Sequence, residues 1–182
     1  MKTPMTFRRT NKLAALAALL TATTTSSTAF AHEEESMPFT MAVIIDGAQG
    51  AEVQAGRYEK AINRITRSGR RVPKDFAAQV NLCVAYAKTK DLQKASNACD
   101  AAIAEVKTQD KRMSRIKNDR NPELLAYRSD LALALSNRGV LLAAIGDTER
   151  AKRSFHSAIE LGTRNSWIFE TNLRRLAQDT SS

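Results

Sequence analysis

The sequence predicts an all-α fold: a short stack of antiparallel helix pairs, drawn out by one long helical hairpin and closed by a C-terminal capping helix. Three observations predict it. Residues 81–103, "NLCVAYAKTKDLQKASNACDAAI", align without a gap on residues 137–159, "NRGVLLAAIGDTERAKRSFHSAI". Within that alignment small residues recur at fixed places, Cys83 on Gly139, Ala95 on Ala151 and Ala102 on Ala158, where a facing helix must approach closely. Between the two segments the chain carries helix-start chemistry at Asn121–Pro122, an N-cap followed by a proline at the first helical position.

Taken from the N-terminus, residues 1–31 read as a secretory signal peptide. Lys2, Arg8, Arg9 and Lys12 form a basic start, Leu13 to Leu20 a short apolar run, and "AFA" at residues 29–31 a small-x-small cleavage pattern. The apolar run is far below the roughly 20 residues of a membrane span, so no transmembrane anchor is expected after cleavage behind Ala31. The expected compartment is the periplasm or the exterior. Removing four basic residues takes the chain from +9 to +5, with 24 basic groups against 19 acidic ones. Export also argues against nucleic acid as a partner, despite the surplus of arginine.

Residues 32–45 form a tail or strap. It opens with His32 and three glutamates, which read as a flexible acidic tail. The apolar run Met41–Ile45 is too short to specify a helix and fits an extended strap along the first unit or a strand given to a partner. From residue 46 to 182 the chain reads as one helical repeat domain. "AGRYEKAINRI", residues 55–65, is a partial copy of the repeat, with Ala61 placed 34 residues before Ala95.

In the last full copy Gly146 ends one helix and Asp147 caps the next. Leu142, Phe155 and Ile159 fill the space that Gly139, Ala151 and Ala158 leave. Ala95 to Ala151 is 56 residues, 22 more than one repeat. Divided between two arms, that excess is close to a whole number of helical turns in each, so both arms lengthen and keep their packing face. The expected hairpin runs over about 92–145, one arm from Leu92 to Asn118 and the other from Pro122 to Ile145. Ile103, Val106, Met113 and Ile116 are expected to face Leu124, Leu125, Tyr127 and Leu131. "NSWIFETNLRRLAQ", residues 165–178, reads as the capping helix, with Trp167, Ile168, Leu173 and Leu176 covering the open end of the stack.

The 34-residue interval and this pattern of small and apolar positions resemble the tetratricopeptide repeat family, whose unit is two antiparallel helices stacked into an α-solenoid. Lys90 departs from it by standing where the family usually has the turn glycine. The resemblance implies a binding scaffold. In members that take extended peptides, asparagines at the places of Asn81 and Asn137 often hydrogen-bond the ligand backbone. Val84, Lys88, Leu133 and Val140 project from the same helices, and Arg174 or Arg175 on the last helix is placed to close such a groove. A buried asparagine that ties repeats together leaves the same trace, so both roles stay open.

Two further features bear on function. Lys107, Lys111, Arg112, Arg115, Lys117 and Arg120 crowd the hairpin against Asp110 and Asp119. They read either as a basic prong for an acidic partner or lipid headgroup, or as a solvated helical face. Cys83 and Cys99 occupy facing places on the two helices of one unit, which in an oxidising compartment fits a structural disulfide, with two buried thiols as the alternative.

Catalytic chemistry has little to work with. The two histidines, His32 and His156, have no motif around them, and there is no phosphate loop, nucleophile elbow or metal-ligand pattern. The sequence thus points to a non-enzymatic scaffold of the cell envelope, without cofactor or metal, that binds another protein or peptide through its concave face, its basic hairpin or both. The alternative is a homo-oligomer assembled through the hairpin, with copper at His32 a distant third.

Overall fold

A computed structural model of the chain describes residues 39–67 and 75–179. The chain divides into Met1–Glu35, outside the described residues, and a compact unit over Ser36–Ser182. The expected signal peptide and the His32 tail therefore lie outside the described residues. The described residues form α1 (Gly50–Gln54), α2 (Tyr58–Arg67), α3 (Phe76–Lys88), α4 (Leu92–Lys107), α5 (Asp110–Met113), α6 (Pro122–Ala144), α7 (Thr148–Glu160) and α8 (Ser166–Asp179), with no strand among them. None of these helices is long and apolar enough to cross a membrane.

Local chemistry starts and stops these helices. Asp75, Asp91 and Asp147 each accept a hydrogen bond from a backbone N–H in the first turn that follows, and Asn121 accepts two, with Pro122 at the first position of α6. The turns that join the two helices of a pair place Gly56 at φ +74°, Lys90 at +62° and Gly146 at +81°. All three share one register of the repeat. Lys90 thus pays the left-handed strain that glycine avoids at the other two.

Helices α3 and α4 form one pair and α6 and α7 the next, with α4 packed on α6 and α8 on α7. Ala61, Ala95, Ala132, Ala151 and Ala158 are all fully buried at the crossings. The clearest case is Gly139, where an added Cβ would sit 2.6 Å from the Phe155 ring. At the equivalent place of the preceding pair, Cys83 and Cys99 are joined by a disulfide, with Cα atoms 5.0 Å apart. One pair closes its central contact by glycine under an aromatic ring, the other by a covalent bond.

The hairpin departs from expectation in its first arm. Helix α6 begins at Pro122 and runs 23 residues, against 13 for α3, so the second arm lengthens as expected. The first arm does not reach Asn118: α4 stops at Lys107, and only the single-turn α5 follows. At the break Thr108 and Gln109 donate to carbonyls three residues back, and the Thr108 hydroxyl donates to the Glu105 carbonyl, 2.7 Å away. A side chain that takes a backbone acceptor and a tightened last turn both end an α-helix. Ile103, Val106 and Leu131 form one cluster, with Tyr127 packed against it, and Met113 and Leu124 are buried. Leu125, placed in that interface by the sequence, is instead 48% exposed.

The cap also differs in detail. Phe169 and Leu176 are buried and Leu173 packs against the last cluster, but Trp167 is 64% exposed and seals nothing. On α8 the buried set Phe169, Asn172, Leu176 recurs at three- and four-residue steps, which turns the first-turn Trp167 outward.

Candidate functional site

The inner helices α3, α6 and α8 each present one asparagine to a single line across the fold. Asn81 and Asn172 are fully buried and Asn137 is 1% exposed. A buried carboxamide must have its donor and acceptor satisfied, and here the partner is the chain's own N-terminal strap.

At α8 the Thr40 N–H donates to Asn172 Oδ1 (2.9 Å), and Asn172 Nδ2 donates to the Thr40 carbonyl (2.8 Å). At α6 the Ala42 N–H donates to Asn137 Oδ1 (2.7 Å), and Asn137 Nδ2 returns a bond to the Ala42 carbonyl (2.8 Å). At α3 the Ile44 N–H donates to Asn81 Oδ1 (3.0 Å), while Asn81 Nδ2 donates to the carbonyls of Ile44 (3.0 Å), Gly47 (2.9 Å) and Ala48 (3.3 Å). Every second residue is held through both backbone groups. That is the period of an extended chain, whose alternate residues offer N–H and C=O to the same side.

Strap side chains enter the core beside this ladder. Phe39 is buried with Val140, Leu142, Phe155 and Leu176, Met41 touches three separate clusters, and Val43 packs with Val53, Val84 and Ala85. Thr40 is exposed, and residues 41–44 are half-buried. The strap ends in a tight turn: a Cβ on Gly50 would lie 1.9 Å from the Ile44 carbonyl oxygen, and Ala48 and Gln49 hold φ of +38° and +64°.

The residues that sequence reasoning placed in a groove thus fall into three groups. Asn81 and Asn137 lie on the line and bind an extended main chain, which belongs to this molecule. Val84 and Val140 are buried under the strap, with Leu133 half-buried in the cluster of Val80 and Leu131. Lys88 is half-buried near the end of α3, and Arg174 is exposed on α8. Asn172 was missed. The signal for it lay in its position, 35 residues after Asn137 and so almost one repeat on, on a helix read only as a cap.

The basic cluster spans the end of α4, α5 and the turn into α6. Arg112 is tied to Glu123 (2.8 Å) and Gln109 (3.0 Å). Lys107, Lys111, Arg115, Lys117 and Arg120 are exposed, with no ion pair among the described residues. The nearby acids are engaged elsewhere, Asp119 with Arg128 at 2.9 Å and Asp110 with the Tyr127 hydroxyl. Burial first, and then that bond to Asp110, pushes the Tyr127 hydroxyl up to about 12.

Residues 52–119 match the tetratricopeptide repeat family. That stretch carries tetratricopeptide repeat sequence. The matched stretch covers α2 to α5, and the gap-free alignment of residues 137–159 on 81–103 extends the same unit to α6 and α7. No curated protein and no solved structure matches the chain. Tetratricopeptide repeats in general mediate protein–protein contacts and in general are not catalytic, because stacked helix pairs supply an extended binding surface rather than an enclosed reaction site.

Proposed function

We propose that this protein is a non-enzymatic protein-binding scaffold of the cell envelope, whose concave face grips an extended segment of a partner and whose basic hairpin adds contacts to acidic groups. One observation carries the reading: Asn81, Asn137 and Asn172 form a ladder that holds N–H and C=O of alternate residues in an extended chain. Such a ladder reads main chain and not side chains, so it suits a surface that takes peptide segments. The five unpaired cations of the hairpin supply long-range attraction, which raises encounter rates with an acidic partner and weakens with salt.

The test places a photo-reactive benzoylphenylalanine at Lys88, beside the groove, and at Lys117, on the basic turn, in the full chain within its native envelope. A discrete heterologous adduct at either position is expected. Adducts only at multiples of the protein's own mass would instead establish a structural homo-oligomer, and no adduct at either position would overturn the scaffold reading.

A further inference from the structure

We propose that the strap is a displaceable internal ligand, and that the segment whose place it holds is extended, free of proline at its three ladder positions, and apolar and uncharged at the alternate positions between them. The inference rests on the reading of the concave face as the binding site and adds to it the chemistry of what is bound.

The strap specifies that chemistry through its own contacts. Proline is excluded where Thr40, Ala42 and Ile44 sit, because their N–H groups donate to Asn172, Asn137 and Asn81. Charge is excluded where Phe39, Met41 and Val43 sit, because these side chains enter apolar clusters that hold no counter-charge. The position of Thr40 is exposed and tolerates polar residues. Polarity of the segment is set as well: its N-terminal end lies on α8 and its C-terminal end on α3.

Displacement follows from how the strap is held. All eight ladder bonds to it and its turn go to main chain, so any segment of the right shape recovers the six to the three extended residues. Residues 41–44 lie half-buried along the groove rather than enclosed and Thr40 is exposed, so at its outer end the strap is anchored by the buried Phe39 side chain. The turn behind it keeps two non-glycine residues, Ala48 and Gln49, in the left-handed region, a strain that docking in cis must carry and a segment supplied in trans does not.

The experiment uses the full chain without its first 31 residues and a T40P/A42P variant, which deletes two strap donors and leaves every groove asparagine intact. A fluorescent ten-residue peptide with the sequence of residues 38–47 is titrated by anisotropy. The variant is expected to bind it at least tenfold more tightly than the unsubstituted protein. Peptides with lysine in place of Met41, or proline in place of Thr40 and Ala42, are expected to lose at least tenfold. Should the variant be unfolded alone, the readout is the melting transition that added peptide restores. A folded variant that ignores the peptide, or an unfolded one that the peptide does not rescue, overturns the proposal and leaves the strap a fixed part of the core. A concentration-dependent dimer of the unsubstituted protein that disappears in the variant also overturns it, in favour of straps exchanged between copies. A heterologous adduct at Lys88 of the otherwise unsubstituted protein, found together with a folded variant that ignores the peptide, separates failure here from failure of the scaffold reading.

Discussion

Replacing Asn137 by alanine tests the ladder most directly. The substitution removes two bonds and leaves the N–H and C=O of Ala42 without their partner. Each bond contributes about 1 kcal/mol net, and each polar group stranded out of water costs about 1–3 kcal/mol. Ala42 is half-buried, so part of that cost returns as water reaches the strap. The expected loss is about 2–3 kcal/mol, equivalent to a melting point lower by about 5–10 °C for a domain of this size. Asn81→Ala should cost more, because its carboxamide holds Ile44 and also the Gly47 and Ala48 carbonyls. Asn172→Ala should cost less, because Thr40 is exposed. Urea denaturation followed by circular dichroism gives the three values, and hydrogen exchange at the Ala42 amide reports the strap itself. Because one strap feels all three sites, the Asn137→Ala and Asn172→Ala losses should sum to more than the double variant shows. An Asn137→Ala loss under about 0.5 kcal/mol, or full additivity, would refute the ladder as the strap's anchor.

Other expectations follow from single contacts. Lys90→Gly should stabilise the protein by about 1 kcal/mol in thermal melts, since glycine relieves left-handed strain at the turn. Gly139→Ala should cost about 1–3 kcal/mol, because the new methyl meets the Phe155 ring, and a simultaneous Phe155→Leu should recover part of it. Cys83→Ser with Cys99→Ser should cost about 3 kcal/mol, measured against the oxidised protein, for a bond closing a sequence separation of 16. Burial raises the Asp130 carboxyl above its ordinary range, so the folded state binds that proton more tightly than the unfolded chain does, and stability falls as pH rises through that window. Asp130→Asn should therefore raise the melting point at neutral pH, and the gain should fade as pH falls into the carboxylate range.

Most of the helical framework was legible in the sequence, because local chemistry sets it. Asp91 and Asp147 cap helices in equivalent registers, Pro122 starts α6 one residue after Asn121, and Gly139 marks a crossing that only a hydrogen side chain allows. What was not legible depends on partners far away in the chain. Nothing near Asn81 or Asn137 says which main chain fills their carboxamides, and the run Met41–Ile45 is apolar on every residue, so its alternation is visible only once Asn172, Asn137 and Asn81 select every second one. The break at Thr108 was missed because a whole number of turns permits a longer helix without requiring it. Leu125 and Trp167 were placed inside on hydrophobicity alone, and the face each occupies turned them out.

A stack of helix pairs is ordinarily a nearest-neighbour system, in which one unit can open while its neighbours stay shut. The strap changes that, because it touches α3, α6 and α8 at once. Its bond between Thr40 and Asn172 spans 132 positions along the chain, so an otherwise local topology acquires a long-range closure. Unfolding should then be a single cooperative event, with no population in which only the last helices have frayed. During synthesis the order is inverted: the strap emerges before any of the helices, yet has no complete seat until α8 has left the ribosome. For that interval Phe39 to Ile44 is an apolar strand without a partner, the kind of segment that other chains capture.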